Sequence, residues 1–259
     1  MKTIIFCGGM GTRLKEETEF KPKPMVTVGG YPILWHVMKI YSSFGHKEFI
    51  LRLGYKGDMI KEYFIDFDWR NSDFSLDLST KKLALAKNSE NYDWKIHFVE
   101  TGLESMTATR LLRVKHILMD SDEEDFMLTY GDGVADIDIG ELVKFHKEKG
   151  RLITLTGINP TTPYGIIEID QNYIVKDFAE KPTSKDFING GFMVFNKKIF
   201  EYLEEKNVML EVDFLPKMAE RGQVAIYHHK GFWHSMDTYR DFSKLNELWA
   251  KDHPWKIWK

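Results

Sequence analysis

A short apolar run near the start of the chain ends abruptly at a glycine-rich turn. Residues 2–7 are followed at once by Gly8-Gly9-Met10-Gly11-Thr12-Arg13. An apolar run closed by glycines predicts a buried strand that feeds a loop. Small residues let backbone N–H groups point toward one anion without interference from Cβ atoms, and a helix N-terminus beyond them adds positive potential. The turn therefore predicts a phosphate site, with an ordinary glycine turn as the alternative.

Strand and helix signals alternate along the rest of the chain. Helices are predicted at 33–44, 58–64 and 110–119, between Asp138 and Gly150, up to Gly222 and from Thr238. Strands are predicted at 48–53, 95–99, 125–130, 152–156, 165–170, 174–178, 191–195 and 224–227. This alternation predicts an α/β fold with a mixed, mainly parallel sheet flanked by helices, and some antiparallel pairing after residue 165.

The domain organisation follows from what interrupts this alternation. The sequence has no Pro/Ser-rich linker and no internal repeat, so we expect residues 1–259 to form a single domain. Residues 66–92 are polar with weak strand signals and are predicted to be a small β insertion. A helical C-terminal segment is predicted at about 238–259, with apolar residues along one face.

Composition excludes several classes of protein. Lys and Arg number 36 against 39 Asp and Glu, a net charge of −3, which is not typical of proteins that bind nucleic acid. No stretch approaches the ~20 apolar residues that span a bilayer, and the first apolar run is too short for a signal peptide. The single cysteine excludes a disulfide framework and a Cys-based zinc site. We therefore expect a cytoplasmic protein with no nucleic-acid or membrane partner.

Cationic and acidic residues follow the glycine turn. In Lys21-Pro22-Lys23-Pro24-Met25, each proline restricts the preceding lysine to extended geometry and so fixes its direction. Together with Arg13, these lysines predict a cationic cluster, with a basic surface loop as the alternative. Asp132 ends a predicted strand, where ligands collect in open α/β sheets, and its carboxylate suits Mg²⁺. An Asp-Gly turn is the alternative there.

Taken together, these segments resemble the signature of the sugar-1-phosphate nucleotidylyltransferases, and in particular the glucose-1-phosphate cytidylyltransferase branch. The resemblance covers essentially the whole chain. Its further segments are Pro32-Ile33-Leu34-Trp35-His36, Gly54-Tyr55-Lys56-Gly57, Thr101-Gly102, Ser105-Met106-Thr107, Thr129-Tyr130-Gly131-Asp132-Gly133-Val134, Glu180-Lys181-Pro182, Asn189-Gly190-Gly191-Phe192, Met236-Asp237-Thr238 and Pro254-Trp255-Lys256-Ile257-Trp258.

The resemblance implies a Rossmann-like nucleotidyltransferase fold and a reaction. A cytidylyl group would pass from CTP to α-D-glucose 1-phosphate, giving CDP-glucose and pyrophosphate. In-line attack of the sugar phosphate on the α-phosphorus requires positioning and charge neutralisation rather than a covalent nucleophile. The resemblance also implies Mg²⁺ as cofactor and a homo-oligomer as the assembly.

The resemblance assigns a role to each site residue. Arg13 and Lys23 would be catalytic, and Asp132 and Asp237 would hold the metal. The nucleotide would be bound by Phe6, Cys7, Gly8, Gly9, Met10, Gly11, Thr12, Arg13, Lys23, Ser105, Arg110 and Gly131. The sugar phosphate would be bound by Glu180, Lys181, Asn189 and Gly191.

Three places depart from the pattern of the branch. Ala108-Thr109 precedes Arg110 where small glycines are usual, Cys7 replaces an alanine, and Tyr164-Gly165 differs on the sugar side. The same reaction with dTTP, UTP or another phosphate acceptor is therefore an alternative. A non-catalytic nucleotide- or sugar-binding subunit is a second alternative, because fold does not fix function.

Overall fold

A seven-stranded sheet forms the centre of the protein in the computed structural model, which describes residues 1–86, 92–102, 105–162 and 164–258. The strands in chain order are β1 (Thr3–Phe6), β2 (Thr27–Val28), β3 (Tyr31–Pro32), β4 (Glu48–Leu53), β5 (Phe74–Asp77), β6 (Lys82–Leu85), β7 (Lys95–Glu100), β8 (Asp125–Tyr130), β9 (Gly133–Ala135), β10 (Ile153–Ile158), β11 (Ile166–Ile169), β12 (Val175–Ala179), β13 (Ile188–Asn196), β14 (Val224–His228) and β15 (Trp233–Ser235). The sheet order is β14-β10-β13-β8-β1-β4-β7. All neighbours in it are parallel except β13, which is antiparallel to β8 and β10.

Helices cover both faces of this sheet. They are α1 (Lys15–Thr18), α2 (Ile33–Ser43), α3 (Gly57–Ile65), α4 (Phe67–Arg70), α5 (Thr107–Arg113), α6 (Lys115–Met119), α7 (Ile139–Lys149), α8 (Leu215–Glu220) and α9 (Tyr239–Lys251). Successive strand residues point to opposite faces, and Ile4 and Ile5 accordingly belong to two different buried clusters. The predicted α/β fold with a mixed, mainly parallel sheet is confirmed.

The predicted elements agree with the observed ones except in the segment after β7. The strands predicted at 48–53 and 125–130 have those bounds. Asp138 caps α7 by accepting from the Glu141 amide at 2.9 Å, and Gly150 ends that helix with a left-handed φ of 57°. The single helix predicted at 110–119 is wrong, because two helices, α5 and α6, meet at Val114, where ψ is 0°.

The predicted insertion contains α4 and an exposed antiparallel hairpin, β5–β6. Residues 87–91 of the segment 66–92, and residue 259 of the predicted C-terminal segment, lie outside the described residues. The single domain over 1–259 therefore stays a prediction. None of the helices in the described ranges is long and apolar enough to cross a membrane.

The C-terminal segment packs back onto α2 through a buried histidine. Trp255 Nε1 donates to His36 Nδ1 at 3.3 Å, so the His36 ring proton lies on Nε2, which donates to the Val28 carbonyl at 2.9 Å. Burial lowers the pKa of His36 to about 4, and the bond to Val28 offsets only part of that effect. His36 and Trp255 are both fully buried. The segment is thus fixed to α2.

Candidate active site

The glycine turn begins where β1 ends, at the carboxyl edge of the parallel strands. Gly11 adopts a left-handed φ of 63° and starts a 3₁₀ turn, Thr12–Leu14. A Cβ atom on Gly8 would lie 1.7 Å from Arg110 Nη1, whereas one on Gly9 would meet no described atom within 4 Å. Glycine at position 8 therefore leaves room for the Arg110 guanidinium, whereas position 11 favours glycine because of its left-handed backbone conformation.

A cavity of about 420 Å³ opens beside this turn. One group of lining side chains is ionic, namely Arg13, Lys23, Asp132 and Asp237. A second group is aromatic, sulfur-containing or cationic, namely Phe6, Arg52, Met106, Arg110, Tyr130 and Met209. The cavity therefore joins an ionic region, suited to phosphates, to a region suited to a planar ring.

In the ionic region, Lys23 lies between two carboxylates. Its Nζ is 2.5 Å from Asp132 Oδ2 and 2.7 Å from Asp237 Oδ1. Arg13 Nη2 donates to the same Asp237 oxygen at 2.7 Å, and Ser235 Oγ donates to the other oxygen at 2.9 Å. A 3₁₀ turn, Lys23–Met25, holds the lysine backbone beside Gly11. Asp132 and Asp237, which lie 109 and 214 positions from Lys23 in the sequence, thus contact the same amine.

This pairing sets the protonation of the ionic region. Burial alone lowers the pKa of Lys23, but the two carboxylates outweigh burial and raise that pKa above its usual value. Burial likewise works to raise the pKa of Asp237, but the hydrogen bond and charge of Lys23 hold that pKa below its usual range. Lys23 is therefore a cation and Asp237 an anion at neutral pH.

The second region is built on three neighbouring strands and the π-helical turn Leu210–Phe214 before α8. Phe6 and Tyr130 meet edge to face, with ring centroids 5.6 Å apart. The Tyr130 hydroxyl donates to Glu211 at 2.6 Å, and the Thr107 hydroxyl donates to the other Glu211 oxygen at 2.7 Å. Glu211 thus ties the start of α5 to the sheet and fixes the width of this region.

A second cavity, of about 340 Å³, adjoins the ionic region. It shares Arg13, Tyr130, Asp132 and Asp237 with the first cavity. Its remaining wall comes mainly from the start of β13 and from β15, including Asn189, Gly191, Trp233 and Ser235, with smaller parts from β8 and β9. Trp233 Nε1 donates to the Gly190 carbonyl at 2.8 Å, which holds β15 against β13. Two ligands can therefore meet over the same carboxylates.

Most of the residues singled out from sequence lie together at these cavities. The first cavity is lined by Phe6, Cys7, Gly8, Gly9, Gly11, Thr12, Arg13, Lys23, Ser105, Arg110, Gly131, Asp132 and Asp237. Asn189 and Gly191 line the second. Burial raises the pKa of the Cys7 thiol, so this residue is a neutral side chain in the cavity floor.

Three residues singled out from sequence lie elsewhere. Met10 is 64% exposed and is not part of either lining. Glu180 and Lys181 follow β12, pair with each other at 3.5 Å and also lie outside both linings. Their predicted contact with a sugar phosphate stays a prediction.

Sequence reasoning missed several residues that line the cavities or hold their walls in place. Arg52 had a signal, because it is a charged residue inside the apolar strand Glu48–Leu53. Tyr130 was part of a recognised segment but received no role. Glu211 and Trp233 had no sequence signal, since their positions depend on contacts between distant parts of the chain.

Residues 2–252 match the family described as Nucleotidyl transferase. The chain belongs to this family. As a nucleotidyl transferase, it has full-length relatives: it is 44% identical over 260 residues to the probable glucose-1-phosphate cytidylyltransferase of Bacillus subtilis, with 100% of both chains covered. It is 42% identical over 261 residues to the glucose-1-phosphate cytidylyltransferase of Salmonella typhimurium, again with 100% of both chains covered.

Solved structures share the nucleotidyl transferase fold. HddC from Yersinia pseudotuberculosis matches with a TM-score of 0.69 at 24% identity, over 96% of this chain and 99% of that one. A putative glucose-1-phosphate thymidylyltransferase from Bacillus anthracis matches with a TM-score of 0.70 at 18% identity, over 97% and 96%. The protein is therefore a nucleotidyltransferase by family and by fold.

Proposed function

We propose that the protein transfers a cytidylyl group from CTP to α-D-glucose 1-phosphate and releases pyrophosphate. The observation that carries the proposal is that two adjoining cavities share Arg13, Asp132 and Asp237. One cavity adjoins the glycine turn and suits a nucleotide, and the other suits the sugar phosphate. The names of the full-length relatives at 44% and 42% identity favour CTP and glucose 1-phosphate as the pair.

The residues of the ionic region suit in-line phosphoryl chemistry. The sugar-phosphate oxygen attacks the α-phosphorus, the bond to the β-phosphate oxygen breaks, and pyrophosphate leaves on the opposite side. Lys23 and Arg13 neutralise charge on the phosphates, and the backbone N–H groups of the glycine turn orient them. The side chains that line the two cavities hold the two substrates next to each other, so the reaction no longer depends on a bimolecular encounter in solution.

Mg²⁺ is the cofactor we propose. Asp132 and Asp237 both present oxygen to one point, and hard oxygen ligands are what Mg²⁺ prefers. Within the described ranges no cluster of three or more His, Cys, Asp or Glu could cage a metal. That agrees with an ion held by one or two carboxylates, water and substrate phosphate. When bound, Mg²⁺ would neutralise charge on the phosphates.

Lys23 competes with a metal for these carboxylates. Its amine lies within 2.7 Å of an oxygen of each aspartate. A cation that binds these same two oxygens displaces the amine, and the released amine can then pair with a substrate phosphate. Metal and nucleotide should therefore favour each other's binding. The nucleotide phosphates give the displaced Lys23 amine a new partner, and the metal frees that amine for the phosphates.

A substrate panel tests the proposal. CTP, UTP, dTTP, ATP and GTP are combined with α-D-glucose 1-phosphate, α-D-mannose 1-phosphate and a non-sugar phosphate ester, and pyrophosphate release is measured with Mg²⁺. Release should be fastest with CTP and α-D-glucose 1-phosphate. Fastest release with UTP or dTTP would replace CTP while keeping the reaction. Binding without release in any combination would favour a non-catalytic subunit.

We also propose a homo-oligomer in the cytoplasm. The hairpin β11–β12 exposes Ile167, Ile169, Val175 and Phe178 to between 50% and 58%. Apolar side chains grouped in this way on a surface are typical of protein contacts. Light scattering after size exclusion should give a mass above that of one chain, 30.4 kDa. A change of Phe178 to Ser should then lower that mass, and a monomeric wild-type protein would contradict the proposal.

A further inference from the structure

Arg52 is a buried arginine in the wall of the first cavity. It lies near the end of β4 beside Phe6 of β1, and its guanidinium carbon is 3.7 Å from the centre of the Phe6 ring. The residue is only 1% exposed, although it contributes to the cavity lining. Its Nη1 donates to the Thr107 carbonyl at 3.3 Å, whereas its buried Nε has no hydrogen-bond partner within the part of the chain that the structure describes.

Among the described residues, the positive charge of Arg52 has no counter-charge in contact. No carboxylate of the described residues forms an ion pair with it, and the nearby Glu211 already accepts from Thr107 and Tyr130. Burial, followed by repulsion from Arg110, lowers the pKa of Arg52 well below its usual value. An arginine has five N–H donors, and leaving buried donors and a buried charge unsatisfied is costly. A ligand that accepts hydrogen bonds from this guanidinium therefore satisfies donors that are unsatisfied in the ligand-free protein, and this favours binding.

The location of Arg52 points to the base rather than to the phosphates. It belongs to the region with Phe6, Tyr130, Met106 and Met209, whereas Lys23 and Arg13 lie with the two aspartates. We propose that Arg52 selects the nucleobase by donating to two adjacent acceptors on its edge. This inference rests on the proposed cytidylyl transfer.

Cytosine has two neighbouring hydrogen-bond acceptors that suit a guanidinium, and uracil does not. The O2 and N3 atoms of cytosine are neighbouring acceptors, which match the parallel donors of an arginine fork. In uracil and thymine N3 carries a hydrogen, so one donor of the fork would meet another donor. A two-point contact of this kind discriminates between bases by about 1–3 kcal/mol, or roughly 5- to 150-fold. Arg52 would therefore favour CTP over UTP and dTTP.

The test compares nucleotide preference in matched variants. The ratio of kcat/KM for CTP to that for UTP is measured with α-D-glucose 1-phosphate for wild type, Arg52→Met, Arg52→Lys and Arg113→Met. Arg113 also donates to a backbone carbonyl, that of Thr101, but it does not line the cavity. The ratio should fall about 10- to 100-fold in Arg52→Met. It should fall in Arg52→Lys as well, because lysine keeps the charge but not the fork, and Arg113→Met should keep the wild-type ratio.

Binding gives a second readout that does not depend on turnover. The rise in melting temperature with CTP should exceed that with UTP in wild type, and the two should become equal in Arg52→Met. Equal losses for both nucleotides would assign Arg52 to the phosphates or to the fold and would overturn the proposal. If the wild-type protein transfers no cytidylyl group, the proposed function itself is wrong. If both Arg52 variants keep the preference for CTP, only the inference about Arg52 is wrong.

Discussion

The backbones of Gly8 and Gly54 approach so closely that a Cβ atom on Gly54 would lie 2.7 Å from the Gly8 carbonyl oxygen. The two glycines follow β1 and β4, which are parallel neighbours in the sheet. Arg110 Nη1 lies in the space beside both of them, 1.7 Å from the Cβ position of Gly8 and 3.2 Å from that of Gly54. The absence of two side chains thus makes room for one guanidinium at the cavity wall.

Changing Gly8 to Ala should displace Arg110 from this place. The guanidinium is the flexible end of a side chain, so the fold should survive while a wall group of the nucleotide cavity is lost. We expect KM for the nucleotide to rise about tenfold, because a hydrogen bond to a charged group contributes roughly 1.5–3 kcal/mol. Arg110→Met is the matched variant, since it removes the same guanidinium without changing the turn, and it should raise KM to a similar extent. A KM that rises in Gly8→Ala but not in Arg110→Met would contradict this account.

Asp132→Asn should abolish most activity without unfolding the protein. Asparagine keeps the shape but removes the charge that meets Lys23 and that would hold Mg²⁺. We expect kcat to fall about 100- to 1,000-fold, as when one electrostatic stabiliser is removed from an active site. Pyrophosphate release measures it. Asp138→Asn makes the same chemical change at a helix cap, where asparagine is equally good, and should leave both activity and melting temperature unchanged.

Lys23→Met should separate metal binding from catalysis. The change removes the amine that occupies both aspartates, so Mg²⁺ alone should bind more tightly, as measured by calorimetry without nucleotide. Turnover should nevertheless fall, because the phosphates lose a cation. Lys21→Met is the control, as Lys21 pairs with Glu17 at 3.2 Å instead. Mg²⁺ binding that is weaker in Lys23→Met than in wild type would refute the competition.

Stability should fall between pH 6.5 and pH 4 because of His36. The pKa of this side chain is about 4 in the folded protein against 6.5 unfolded, so the unfolded chain takes up a proton first as the pH drops. The stabilisation is complete above pH 6.5 and is lost as the pH approaches 4. For this fully buried group it amounts to about 3 kcal/mol in the free energy of unfolding.

Urea unfolding at several pH values measures this effect. His36→Gln should flatten the dependence by one proton, although its overall stability should be lower because the bonds to Val28 and Trp255 are weakened. His46→Gln is a useful comparison, since burial also lowers the pKa of His46 to about 4. An unchanged slope in His36→Gln would show that other groups cause the loss.

The fold was predictable to a large extent because local patterns decide it. Apolar periodicity located the strands of the sheet, and the caps at Asp138 and Gly150 were correct to the residue. The break at Val114 was not predictable, since residues on both sides continue a helical pattern and only tertiary packing separates α5 from α6.

The site was predictable where one segment carries several chemical groups. The glycine turn, Lys23 and Asp132 belong to such segments and lie together as expected. The contact of Lys23 with Asp237 spans 214 positions, and only the family resemblance paired Asp237 with Asp132. Spacing alone could not place Arg52 against Phe6 either, because that neighbourhood depends on sheet order.

The single reversed strand of the sheet has a consequence for how the two substrates are held. Because β13 runs against β8, its first residues lie at the same edge as the last residues of β8 and β1. Asn189 and Gly191, which line the second cavity, therefore lie beside the strand end that leads to Asp132, which lines both cavities. Neighbouring strands lie about 4.8 Å apart. The distance between the nucleotide and the sugar phosphate is thus set by the spacing of the strands. Bringing the two substrates within reach of each other requires no hinge between lobes.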